Sequence, residues 1–148
     1  MNGIIIAVKD EKYLPKKQTS WAFCYDVCSR ENTTIKPWEV KLIKTGVKVA
    51  LPLWVAMLIY PRSSLPIKKG LIMANSVGII DSDYRWEIHL QLMNITDHEI
   101  EIKDGERYWQ AMYQWSIEGE IKIEKSFDTF EEDYPTERGT GWFWSTGK

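Results

Sequence analysis

The sequence predicts an all-β protein, a sandwich, jelly roll or barrel, and three observations carry that reading. Short runs with a period of two recur along the chain, Gly and Pro signals separate them, and no stretch has the spacing of an amphipathic helix of useful length. Together these argue against alternating β and α units. At 148 residues the chain is expected to form one domain, large enough to bury a core without disulfides or a structural metal.

In chain order, residues 3 to 8 read as a first strand. Trp21 to Cys28 read as a second, with Ala22, Cys24 and Asp26 alternating against Phe23, Tyr25 and Val27. A basic, Pro-containing loop lies between them. Thr33 to Pro37 leads into the run Glu39 to Lys44, which Thr45-Gly46 turns into Val47 to Leu51, a hairpin pattern. Leu53 to Tyr60 is a nearly continuous apolar run of strand length that ends at Pro61, and Arg62-Ser63-Ser64 follows at once. Ser64 to Lys69 is expected to make one helical turn, and Leu71 to Ala74 another short strand. Glu87, His89 and Gln91 alternate with Ile88, Leu90 and Leu92, as in a strand buried on one face. Glu99 to Lys103 alternates too, Asp104-Gly105 is a strong turn signal, and Arg107 to Ile117 runs on as a strand. From about Gly119 the pattern weakens, and Glu131-Glu132-Asp133 with Pro135 marks an acidic, mobile connector.

The charge balance of 19 basic against 21 acidic residues, formally −2, argues against broad nucleic-acid binding, which draws on the phosphate backbone. An anionic ligand must therefore be met by local arginines. The run Ile4 to Val8 is too short to span a bilayer and lacks the flank and cleavage pattern of a signal peptide, so no membrane association and a cytoplasmic location are expected. Cys24 and Cys28 on an extended strand lie roughly 13 Å apart at about 3.3 Å per residue, too far to pair. With only His89 and His98 besides, they do not have the usual zinc-ligand spacing.

Two stretches are richer in chemistry. Gly78 to Trp86 places Asp81, Asp83 and Tyr84 between an apolar run and a clean strand, so that a rigid sheet holds two carboxylates and a phenol at its edge. Asp is also a common turn former, and an ordinary turn is the plain alternative. The chain ends Arg138-Gly139-Thr140-Gly141-Trp142-Phe143-Trp144-Ser145-Thr146-Gly147-Lys148. Small residues, hydroxyls and an arginine suit a phosphate cradle, because Gly lets backbone N–H groups approach and Arg offers a planar donor fork. A disordered tail is the alternative.

Five segments stand in one order: AFCYDVC at 22 to 28, PRSSL at 61 to 65, NSVGIIDSDY at 75 to 84, GERYWQ at 105 to 110 and RGTGWFWSTG at 138 to 147. Together they resemble the five motifs of the trimeric deoxyuridine triphosphatase (dUTPase) family, and Lys44-Thr45-Gly46 and Ala50-Leu51-Pro52 fit between them. The resemblance implies a distorted all-β jelly roll over residues 1 to 118. It also implies a C-terminal arm over 119 to 148, and a homotrimer whose active sites are each completed by a neighbour's arm. It implies hydrolysis of dUTP to dUMP and pyrophosphate, with Asp81 orienting and activating the water that attacks the α-phosphorus. Tyr84 would pack on the deoxyribose and exclude a ribose, and Asn75 with the backbone through Gly78 would face the uracil. Arg62, Ser63, Ser64 and Gln110 would hold the phosphates, Arg138 the γ-phosphate beside Ser145, Thr146 and Gly147, and Phe143 would stack over the base. Mg²⁺ would ride on the triphosphate with no direct protein ligand, Asp26 acting through water. A dCTP deaminase of the same fold is the second reading, but its catalytic glutamate segment is not seen in the strand Glu87 to Leu92. A dUTPase-fold binding module that has lost catalysis is the third.

The tryptophans depart from that pattern. Of eight in the chain, Trp38, Trp54, Trp86, Trp142 and Trp144 fall where the resembled family has glycine. Trp21 does as well, and Trp109 stands where the family has a small residue. Tryptophan cannot supply the positive φ or close backbone approach of such glycines. The sequence therefore leads to the expectation that the codons at 38, 54, 86, 142 and 144 are UGA, read as glycine in the source and rendered as tryptophan by another translation table.

Overall fold

The computed structural model describes residues 3–116 and 130–136. Two compact units are distinguished, Met1–Ile117 and Glu118–Lys148. The first holds the strands found among the described residues: β1 (Ile5–Val8), β2 (Tyr25–Cys28), β3 (Thr33–Ile35), β4 (Val40–Lys44), β5 (Val47–Ala50), β6 (Val55–Pro61), β7 (Leu71–Met73), β8 (Gly78–Ile80), β9 (His89–Asn94), β10 (Ile100–Ile102) and β11 (Arg107–Trp115). The helix α1 (Leu65–Lys69) follows β6. Within the second unit the described residues contain one helical turn, α2 (Phe130–Asp133). That turn lies in the stretch read as a mobile connector; residues 119–129, and the tail from 137, fall outside the described residues. Among the described residues no helix is long and apolar enough to cross a membrane.

The strands form the predicted all-β jelly roll. A four-stranded sheet has the order β2-β11-β6-β8, a three-stranded sheet the order β4-β9-β7, and two pairs join β1 to β5 and β3 to β10, every pairing antiparallel. The inward faces make one core: Met57 and Ile59 from β6, Leu90 and Leu92 from β9, with Ile43 and Ile35, all essentially without exposure. Alternation produces this directly, because in β6 and β9 every second side chain points to the same apolar face.

Several boundaries move from the sequence expectation. Residues 21 to 24 are not strand, since β2 gains its ladder with β11 only from Tyr25. Leu53 and Trp54 form a turn closed by Val55 N–H donating to Pro52 O at 3.0 Å, so β6 starts at Val55. The β9 strand starts at His89 and not at Glu87. The expected helical turn is present: Pro66 lies in its first turn, and Gly70 closes it in the left-handed conformation with φ 62°. A Cβ on Gly70 would fall 2.2 Å from Thr96 Cγ2, so the chain needs glycine there both for φ and for space. Cys24 and Cys28 are both free thiols.

The expected hairpin at Thr45-Gly46 is corrected. Here β4 pairs with β9 and β5 with β1, so the two strands belong to different sheets. The physical reason lies at the corner, whose polar groups bond to a third segment: Thr45 N–H and Oγ1 both donate to Ile88 O, at 3.2 and 2.8 Å, and Ile88 N–H donates to Val47 O at 2.9 Å. Asp104-Gly105 does the same, Gly105 N–H donating to Ser29 O at 2.8 Å and Ser29 N–H to Glu106 O at 2.9 Å.

A clamp locks the first corner. Arg30 donates from Nε and Nη2 to the two Glu87 carboxylate oxygens at 2.9 and 3.0 Å, and Gly46 N–H donates to Glu87 Oε1 at 2.8 Å. Burial pushes the Glu87 carboxyl up, but Arg30 and the Gly46 N–H outweigh it and hold it below its ordinary value of 4.5. A folded-state value below the unfolded one means stability that is present above the unfolded value and lost as pH falls through the folded one. Glu87→Gln is therefore expected to destabilise by about 2 kcal/mol at neutral pH, a gap that narrows at an acidic pH below the ordinary value of 4.5. Urea denaturation at the two pH values checks this, and a gap independent of pH would contradict it.

Candidate active site

At the Pro61 end of β6, adjacent strands bring three motif residues together. Asp26 lies on β2 and Gln110 on β11, directly opposite one another in the ladder, and Gln110 is also opposite Tyr60 of β6. Arg62 follows β6 at once. Its N–H donates to Tyr108 O at 3.1 Å, its Nη1 to Arg107 O at 3.3 Å, and its Nε stands 3.5 Å from Asp26 Oδ1. Arg107 Nη1 donates to the other Asp26 oxygen at 3.1 Å. One largely buried carboxylate, its side chain 12% exposed, thus holds two guanidinium groups, one on each oxygen. Gln110 Nε2 donates to Pro61 O at 3.1 Å, fixing its amide against the same strand end.

Beside these groups is a cavity of about 350 Å³ lined by Arg62, Ser64, Lys68, Lys69, Glu106 and Arg107 among others. Ser64 caps α1 with its backbone and makes no side-chain cap bond, and Ser63 beside it is exposed. Lys69 Nζ pairs with Glu106 at 2.5 Å and Tyr108 Oη donates to Glu106 Oε2 at 2.6 Å. Burial pushes the Glu106 carboxyl up; those two partners more than offset it and keep it below 4.5, hence ionised. Four cations face two carboxylates here, a surplus suited to an anion carrying several charges. Arg107, Lys68 and Lys69 were not singled out from sequence; the signal was the basic residue inside GERYWQ and the Lys-Lys pair that ends α1.

The other motif residues are placed elsewhere. Asn75 and Ser76 make the tight turn before β8, with Val77 N–H donating to Asn75 O at 2.7 Å. Gly78 is buried in β8, where a Cβ would come within 3.3 Å of Leu90 Cδ2, so its role in the chain is close strand packing. Asp81 is exposed after β8, and Tyr84 N–H donates to Asp81 O at 3.2 Å in the turn that presents it. Tyr84 Oη donates to Glu87 O at 3.0 Å, which anchors the ring against the core edge, and Trp86 lies edge-on to it with centroids 5.7 Å apart. The β6 to β8 register pairs Met57 with Ile80, which carries Asp81 toward Ala56. From Ala56 to Arg62 is roughly 20 Å at about 3.4 Å per residue. One chain therefore does not bring Asp81 to the arginine pocket. Arg138, Phe143, Ser145, Thr146 and Gly147 lie outside the described residues.

A jelly roll with an arginine and lysine pocket at one sheet end, and an exposed aspartate at the other, has the form of a phosphate-ester-handling protein. The sequence profile of the dUTPase family matches residues 10–147. The deoxyuridine 5'-triphosphate nucleotidohydrolase of Nautilia profundicola is 42% identical over 142 residues, covering 95% of each chain. The chain belongs to the dUTPase family. The crystal structure of dUTPase from Streptococcus mutans superposes with a TM-score of 0.75 at 34% identity, covering 80% of this chain and 99% of that one. The Staphylococcus bacteriophage 80alpha dUTPase with dUPNHPP reaches 0.81 over the whole of both chains; at 22% identity it bears on the fold alone.

Proposed function

We propose that this chain is a dUTP diphosphatase of the cytoplasm, releasing pyrophosphate from dUTP, and that each of its sites is built between copies. The observation that carries the second part is the separation of Asp81 from Arg62 by the length of β6. A water-orienting carboxylate and a phosphate clamp must meet on one triphosphate, and two copies meeting in a closed ring can bring the aspartate of one to the pocket of the other. A homotrimer, with the arm over 119 to 148 reaching a neighbour, is the assembly inferred.

In that site Arg62, Arg107 and Gln110 hold the phosphate chain, with Ser63 and Ser64 supplying hydroxyls. Asp26 is a positioning residue, since both its oxygens are occupied by guanidinium groups in this chain. Asp81 accepts the proton of the attacking water, and the bond broken runs from the α-phosphorus to the oxygen that leaves with pyrophosphate. Tyr84 stacks on the deoxyribose, where its anchored ring leaves no room for a 2′-hydroxyl, and Asn75 meets the uracil. Arg138, Ser145, Thr146 and Gly147 close on the γ-phosphate and Phe143 covers the base.

Magnesium fits this donor set only as an ion carried on the triphosphate. Among the described residues no group of three His, Cys, Asp or Glu side chains could hold a metal. Asp26, whose oxygens Arg62 and Arg107 already engage, would act on such an ion only through water. The structure of a mutant dUTPase from phage phi11 of S. aureus shows the coordination of a structural Mg(II) ion in that protein. When bound, Mg²⁺ would spread the charge of the leaving pyrophosphate.

The deaminase reading is disfavoured at Glu87, whose carboxylate is engaged by Arg30 and the Gly46 N–H in holding the corner between β4 and β5. The test is pyrophosphate release from dUTP with Mg²⁺, set beside dCTP, dTTP and UTP. Release from dUTP alone supports the reading; ammonia from dCTP would support the deaminase, and binding without release the module.

A further inference from the structure

The geometry around Pro37 points to glycine in the native protein where tryptophan is written. Lys36, Pro37, Trp38 and Glu39 form a reverse turn: Glu39 N–H donates to Lys36 O at 3.1 Å, and Trp38, at the third position, has φ 62°. Proline second and a positive φ third are the marks of a type II turn, which calls for Gly or Asn at that third position. A bulky side chain in this region is an outlier. The turn cannot relax to suit an indole, because it is fixed at both ends: Trp38 N–H donates to Asn94 O at 3.0 Å, Asn94 N–H to Glu39 O at 3.1 Å, and Lys36 N–H to Glu39 Oε2 at 2.7 Å. Ser76 shares the conformation with φ 62°, but with a short polar side chain that such turns tolerate better.

The indole at 38 also gains little from packing, being 63% exposed. Trp86 is 72% exposed, with one edge-on contact to Tyr84; Trp54 is more covered, at 41% exposed, and Trp21 is 96% exposed. Indoles ordinarily earn their place by burial or by bonding the ring N–H; no hydrogen bond from any of these four ring N–H groups is found among the described residues. Trp142 and Trp144 share the pattern by sequence, each set among glycines and hydroxyls in the run 138 to 147. A single cause covers these sites: UGA codons read as glycine in the source cell. Backbone geometry carries the inference at 38, where φ is positive; Trp21, Trp54 and Trp86 do not have positive φ and join it by their exposure, and neither observation depends on the proposed reaction.

Two measurements test it. Reading the gene and sequencing the protein from its source cells by tandem mass spectrometry is expected to give UGA, and glycine, at 38, 54 and 86; UGG codons or indoles there would overturn it. In protein made with the written sequence, Trp38→Gly is expected to raise the thermal midpoint by a few degrees, and Trp38→Ala, which keeps a Cβ at positive φ, to raise it less. A midpoint lowered by Trp38→Gly would contradict the geometry on which the inference stands.

Discussion

Asp81→Asn is expected to slow pyrophosphate release from dUTP by about 10²–10⁴-fold, the range that a positioned general base contributes, while dUTP affinity changes little. Asp81 is exposed on a turn closed by its own carbonyl, which accepts the Tyr84 N–H at 3.2 Å. The amide has the same shape and leaves that backbone contact intact, so a folding defect is not expected. What it loses is the ability to take a proton from water. Steady-state rates beside calorimetric binding of a non-hydrolysable dUTP analogue separate the two effects. A variant that hydrolyses dUTP at the parent rate would assign the base to another residue.

Arg62→Ala is expected to reduce kcat/KM for dUTP by about 10²–10³-fold, comparable to removing one preorganised donor from a charged transition state. Two things are lost at once. The phosphate chain loses its fork, and Asp26 loses one of its two guanidinium partners, leaving a largely buried carboxylate held by Arg107 alone. Arg62→Lys restores charge without the planar fork and is expected to recover only part of the loss. Binding of dUMP, which lacks the pyrophosphate, is expected to suffer much less than binding of the triphosphate analogue. Equal losses for both would place Arg62 away from the pyrophosphate.

How much of this was legible in the sequence depended on how local each cause is. The β9 strand could be read because Leu90 and Leu92 continue the alternation begun at Ile88, just before the strand, and all three are buried. The corner at Gly46 could not, because glycine at positive φ, here 73°, serves a hairpin and a corner equally well. What decides between them is Ile88, more than forty residues away in the chain and bonded to Thr45. The arginine pocket shows the same limit. Arg62 and Gln110 stand out within short motifs, whereas Arg107 takes its orientation from Asp26, 81 positions earlier. Trp38 is the opposite case: Pro37 ahead of it announces a turn, and the residue that follows contradicts the turn's own chemistry.

The separation of Asp81 from Arg62 within one chain is the claim on which the functional account turns, and mixing two inactive variants tests it most directly. Asp81→Asn and Arg62→Ala proteins, unfolded together and refolded as mixed assemblies, are expected to regain dUTP hydrolysis at about one site in four, the share that random pairing of neighbours leaves with both native residues. Each variant refolded alone stays inactive. If the mixture also stays inactive while mixed assemblies are shown by mass to have formed, both residues serve the same site from the same chain, and the account of a site shared between copies is wrong.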